Sequence, residues 1–190
     1  MPRIPEMTRD EVPEELRDAF DSVIAANGGN MPSGPGAITL HSPEMASRRA
    51  PLSGYMRSEI ALPDRILELV ILTTARCMDC PYVWNAHPAA ARKAGVADAL
   101  VDALREDEPL PAAPADEIAI VLYGLELMRT HAIRRQTFDD ALKQFGVQHL
   151  VELTSLMGHY AQNAFLVNAF AVELRAGGSE PLLPVSSKVA

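Results

Sequence analysis

The sequence predicts an all-α fold, a helical bundle of about six to eight helices. Apolar residues recur at three- and four-residue spacing, proline and glycine fall at the ends of those runs, and no segment sustains period-two alternation. With 190 residues, 48% of them hydrophobic, the chain can bury a proper core.

The first 13 residues hold three prolines and little periodicity, which reads as an extended N-terminal arm. Residues 14–176 read as a single helical domain and residues 177–190 as a flexible C-terminal tail. The first helix opens at Pro13-Glu14-Glu15, carries Leu16, Phe20, Val23 and Ile24, and stops at Asn27-Gly28-Gly29. Gly28 to Gly36 is then a loop. Ser42-Pro43-Glu44 caps a second helix running to Pro51, followed by a further helical stretch from Leu52 to Ser58. Pro63-Asp64 begins the next, in which Ile66, Leu67, Leu69, Val70, Ile71 and Leu72 predict burial on most sides. Glu68 is conspicuous within it.

Pro81 to Ala94 reads as one helix closed by Gly95, and Val96 to Arg105 as a short amphipathic one. Glu106 to Pro114 is an acidic, proline-rich connector. Three more helices follow, over Ala115–Arg135, Thr137–Phe145 and Val147–Ala176. The last is apolar on too many sides for a simple surface helix, so it belongs at the bundle centre or against another subunit.

Composition excludes several classes. The net charge of −8 is dispersed, and no Lys/Arg block exceeds a pair, so nucleic acid and anionic lipid are not partners. No window has the 18 apolar residues of a membrane span, and the N-terminus lacks a secretion signal. The expected location is the cytoplasm. Two cysteines cannot make a disulfide framework, and Cys77, Cys80 and His87 lack a fourth zinc ligand and the usual spacing. No metal or cofactor is expected.

The chemistry concentrates between Asp64 and Gly95, where Glu68, Cys80 and His87 supply a carboxylate, a thiol and an imidazole. Pro81 suits a first helical position, placing the Cys80 sulfur near unpaired backbone N–H groups that favour thiolate, while Asp79 opposes ionisation by repulsion. Seven residues are nearly two turns, so one helix would align Val83, Trp84 and His87 with Cys80. Each residue also has a plainer reading. Glu68 can be a surface acid, His87 a satisfied structural histidine, Cys80 a buried thiol, and Trp84 a core aromatic. His41, His149 and His159 have no constellation around them and default to surface or helix-end positions.

The pattern Glu68, Cys80, Tyr82-x-Trp84, His87, then Ala90 to Gly95, resembles the carboxymuconolactone decarboxylase family, which includes the AhpD alkylhydroperoxidases. The resemblance runs from about residue 14 to 175, through the His131 region, Gly158-x-Tyr160 and Asn168-Ala169-Phe170. It implies an AhpD-like bundle assembling as a homotrimer or homohexamer around a small-molecule substrate. Glu68, Cys80 and His87 match the AhpD spacing, but Val83 stands where the second cysteine of the dithiol belongs. The decarboxylase branch tends to read Tyr-Glu-Trp-x-x-His, and Tyr82 to His87 keeps all but the Glu.

The resemblance therefore implies a cofactor-independent carboxy-lyase acting on a small carboxylated lactone or related carbonyl compound, of the kind ring cleavage of aromatics yields. His87 would donate or relay the proton, Glu68 would orient the imidazole, and Cys80 would line the pocket or act as an acid. Arg76, Arg49 and His131 are candidates to hold the substrate anion, with Trp84 and Tyr160 lining the site. The alternatives are a thiol-dependent peroxidase or reductase using Cys80, and a helical oligomer without catalysis.

Overall fold

A computed structural model describes residues 3–174 and 180–185. Every regular element among the described residues is a helix, as the spacing predicts. Two compact units divide the chain.

The first unit comprises residues up to 60 together with 165–173. It contains 3-10 turns at Arg9–Glu11 and Glu14–Leu16, and helices α1 (Arg17–Ala26), α2 (Pro35–Thr39) and α3 (Pro43–Ser58). Val12, Phe20, Val23, Leu40 and Ala46 form its core, bordered by Met7, Leu16 and Ile24. The segment expected as an extended arm thus contains a turn and gives Val12 to this core. Arg3 is tied down as well, its backbone N–H donating to the Phe170 carbonyl at 3.0 Å and its guanidinium to the Ala169 carbonyl at 2.7 Å. Helix α3 continues through Pro51, where a break is predicted. Proline removes one helical hydrogen bond, and packing of α3 on α1 keeps both halves in line.

The second unit comprises residues 61–164 and the segment 180–185 among those described. It holds α4 (Asp64–Cys77), α5 (Pro81–Asn85), α6 (Pro88–Lys93), α7 (Asp98–Glu106), α8 (Ala115–Thr130) and most of α9 (Arg135–Ala169). Helix α4 is central and packs chiefly on α8, and also on α5, α6 and α7. Ile66, Leu69, Val70, Leu72 and Ala75 of α4 are all but inaccessible, as the density of apolar residues predicts. Removing that much apolar surface from water is the main source of the unit's stability.

Helices α4 and α8 run in the same direction. Arg65 in the first turn of α4 meets Asp116 and Glu117 in the first turn of α8, and further along both helices Thr73 faces Gly124. A Cβ on Gly124 would lie 2.9 Å from Thr73 Cγ2 and 3.0 Å from Met157 Cε. Met157 can swing aside, but buried, β-branched Thr73 cannot. Gly124→Ala therefore destabilises the protein although alanine favours the helix by about 1 kcal/mol; overpacking costs about 1–3 kcal/mol. A lowered urea midpoint at unchanged m checks this, and a raised one would show that the helices separate freely.

Two boundaries differ from expectation. The helix predicted over Pro81 to Ala94 is two short ones, α5 and α6, because Pro88 lacks the N–H that would continue the ladder. His87 becomes the N-cap of α6. The predicted boundary between Phe145 and Val147 is present as a kink in α9, where Gly146 adopts φ 70° and ψ 175°, a conformation open to glycine. Helix α9 ends at Ala169, short of the predicted Ala176, and α8 ends at Thr130.

Residues 177–179 and 186–190 of the expected tail, with 175 and 176 just before it, lie outside the described residues. Between them, Leu183 is buried, Pro184 accepts a hydrogen bond from Arg76 at 2.8 Å, and Glu180 pairs with Arg92 at 3.4 Å. This short stretch is part of the second unit's packing.

Candidate functional site

Three side chains from three helical segments converge in the second unit. Glu68 projects from α4, His87 from the junction of α5 and α6, and Tyr160 from α9. His87 Nδ1 and Glu68 Oε2 are 2.8 Å apart, with side chains 20% and 18% exposed. A carboxylate only accepts, so Nδ1 carries the proton and donates it. Among the described residues nothing pairs with Nε2 of His87. The Tyr160 ring meets the imidazole edge to face, with centroids 5.4 Å apart and planes at 86°.

The break before Pro88 makes this geometry possible. In an unbroken helix the side chain of His87 would follow the face set by Cys80 and Trp84; as an N-cap it takes its direction from a backbone at φ −117°. Its N–H donates to the Trp84 carbonyl at 3.0 Å, and the Trp84 N–H donates to the Cys80 carbonyl at 3.0 Å. The three residues thus stay in one connected stretch. Trp84 is 1% exposed, and the burial of so large a ring anchors α5 in the core.

Cys80 is the N-cap of α5 and wholly buried. Burial pushes its thiol above the ordinary range, and the N–H groups of Tyr82 and Val83 pull the other way without prevailing. This corrects the expected tendency to thiolate: the helix start is present, but desolvation of the charge outweighs it. Cys77 is partly buried at the end of α4, its thiol likewise raised by burial despite the opposing Arg129. Alkylation by iodoacetamide should consequently be slow at neutral pH and reach half its maximal rate above the pH of a free thiol. Half-maximal alkylation of Cys80 below neutrality would show that burial does not govern it.

The remaining candidates lie elsewhere. Arg76 is committed to protein acceptors, donating to Asp79 Oδ1 and to the carbonyls of Arg105 at 3.1 Å and Pro184 at 2.8 Å. His131 is exposed at the C-terminal cap of α8 with φ 58°. Arg49 belongs to the first unit, where burial and the neighbouring Arg57 lower its pKa. No group of three or more His, Cys, Asp or Glu side chains suited to a metal occurs among the described residues.

The three histidines left without a constellation are all engaged, His41 Nε2 lying 3.1 Å from the Pro5 carbonyl. His159 packs edge to face on Tyr160 with centroids at 5.5 Å, and His149 Nδ1 lies 2.9 Å from Glu152 Oε2. The pair of His149 and Glu152 sits at i, i+3 on one helix, a spacing visible in the sequence. The His159 contact depends on which way two adjacent rings turn.

Residues 43–121 match the carboxymuconolactone decarboxylase family. The matched segment includes Glu68, Cys80, Trp84 and His87. No curated protein matches the chain. Solved structures agree on the family's fold at low identity. An AhpD-type protein of unknown function from Agrobacterium tumefaciens, assigned to antioxidant defence, is 16% identical with a TM-score of 0.64, over 73% of this chain and 96% of that one. A peroxidase-related AhpD-core protein from Ralstonia eutropha JMP134 is 15% identical with a TM-score of 0.69, over 92% and 93%. The debrominase Bmp8 is 15% identical with a TM-score of 0.66, over 90% and 91%. The fold is thus all-α and AhpD-like.

Proposed function

We propose that the protein is a cofactor-independent enzyme that moves protons at a small carboxylated lactone or related carbonyl compound, releasing its carboxyl group as carbon dioxide. The observation that carries this reading is the 2.8 Å hydrogen bond between Glu68 and His87, which leaves Nε2 open. Glu68 holds the proton on Nδ1 and balances the charge of the imidazolium. The bond from the substrate to its carboxylate breaks, the electron pair delocalises into the substrate's carbonyl as carbon dioxide leaves, and His87 Nε2, having taken a proton from solvent, delivers it to the resulting carbanion. Cys80 lines the site as a neutral thiol.

A second reading has its own support. The Tyr82 and Val83 N–H groups face the Cys80 sulfur, and the similar debrominase Bmp8 has been solved as a cysteine-to-alanine variant bound to 2,3,4-tribromopyrrole. In this alternative Cys80 is the nucleophile of a thiol-dependent peroxidase or reductase. Two features weigh against it: the raised thiol pKa, and Val83 where the AhpD dithiol needs its second cysteine.

The active form is a cytoplasmic homotrimer or homohexamer. No described helix is long and apolar enough to cross a membrane. Val147 and Val151, one turn apart on α9 and 71% and 60% exposed, are the face a neighbouring copy covers.

A panel of small carboxylated lactones, followed by carbon dioxide release, and a panel of peroxides with a dithiol reductant separate the readings. Decarboxylation that survives Cys80→Ser within a few-fold supports the first. Peroxide turnover abolished by Cys80→Ser, with no decarboxylation of any lactone, replaces it with the second.

A further inference from the structure

We propose that Tyr160 is a positioning residue for the His87 imidazole and not a substrate contact, an inference that rests on the reading of His87 as the proton carrier. His87 occupies a break between two short helices, where the backbone alone does not fix a side chain as the interior of a long helix would. The Glu68 hydrogen bond holds Nδ1 and the Cβ–Cγ bond holds the ring's other end, but a single hydrogen bond between two side chains still lets the ring rock about Cβ–Cγ. The edge-to-face contact of Tyr160, at 5.4 Å and 86°, removes that freedom. Two restraints from two helices, α4 and α9, thereby define where Nε2 points.

Tyr160 is itself well suited to this role. It is 9% exposed, so most of its surface is spent on protein contacts. It stands in the limb of α9 that carries Leu153, Leu156 and Met157 into the core, so its backbone cannot shift cheaply. His159 packs on the same ring at 5.5 Å and 81°, bracing it from the neighbouring position. The arrangement is a short series, Glu68 to His87 to Tyr160 to His159, in which the His87 ring is held by a hydrogen bond at Nδ1 and a ring contact while its Nε2 stays open. Because proton transfer depends steeply on geometry, loss of the brace lowers kcat by roughly 10- to 100-fold.

The ring, and not its hydroxyl, does the positioning, which makes the test specific. In protein labelled with 15N at histidine, the His87 ring resonances are assigned by their loss in His87→Gln. Tyr160→Leu should shift and broaden those resonances and lower kcat with KM within about two- to three-fold, and Tyr160→Phe should restore both to wild-type values. Should the leucine variant not fold, Tyr160→Met, unbranched and able to adapt to the space the ring leaves, lacks the aromatic edge and serves the same comparison. His87 resonances unchanged in the folded leucine or methionine variant would overturn the proposal, as would a raised KM at constant kcat. The resonances are read on the free protein without substrate, so a failure of positioning is distinguishable from a failure of the functional reading: wild-type resonances sink the first, whereas full turnover in His87→Gln sinks the second.

Discussion

His87→Gln lowers kcat by roughly 10²- to 10⁴-fold while the protein stays folded, the range a positioned acid–base group contributes. Glutamine keeps a polar tip at the N-cap of α6 but cannot take and return a proton at the position of Nε2. Glu68→Gln also lowers kcat, for a different reason. A carboxylate at 2.8 Å from Nδ1 only accepts, which keeps the proton on that nitrogen. An amide can donate, which moves the proton to Nε2 and leaves the ring in the wrong tautomer. Steady-state kinetics on a substrate found in the lactone panel, with circular dichroism to verify folding, checks both variants. Turnover within a few-fold of wild type in both would remove the pair from the mechanism.

Arg65→Ala destabilises the protein by about 3 kcal/mol, the low end of what breaking a buried ion pair costs, since the arginine retains some access to water. Arg65 Nη1 lies 3.0 Å from Glu117 Oε1, and Nη2 donates to Asp116. The Glu117 side chain is 3% exposed, so removing Arg65 strands a carboxylate in the core between α4 and α8. Replacing Arg65 and Glu117 with apolar residues, Arg65→Met with Glu117→Leu, recovers much of the loss because the deeply buried carboxylate is removed with its partner and only the more exposed Asp116 is left unpaired. The hydrogen bond from Arg65 holds the Asp116 carboxyl below its ordinary value against the opposing effect of burial. A depressed folded-state value means the contribution is fully present above the unfolded carboxylate range and is lost as pH falls through the folded value. Urea unfolding at neutral and acid pH reads both effects, and a loss below about 1 kcal/mol for Arg65→Ala would show the pair to be effectively solvated.

Much of the architecture is legible from local pattern. The run from Ile66 to Leu72 announces a buried helix whatever packs on it, Pro63-Asp64 marks its start, and Gly146 marks the kink in α9, since these depend on residues within a turn or two. The spacing of Glu68, Cys80 and His87 likewise identifies the segment that matches the carboxymuconolactone decarboxylase family. Pro88 is the local signal that separates α5 from α6, and reading Pro81 to Ala94 as one helix aligned with Cys80 passes over it.

What the sequence by itself determined is the helical class, the main boundaries, and the three reactive side chains worth watching. Only the tertiary structure decided which of them meet and in what surroundings. Glu68 and His87 are 19 residues apart in the chain and meet because α4 packs on α5 and α6. Tyr160 arrives from still farther away, on α9, to meet the imidazole edge to face. Cys80 sits at a helix start in either view, yet its thiol is held up because the assembled core excludes water from it. Periodicity is a property of neighbours along the chain, whereas hydrogen bonding, ring contact and desolvation depend on neighbours in space.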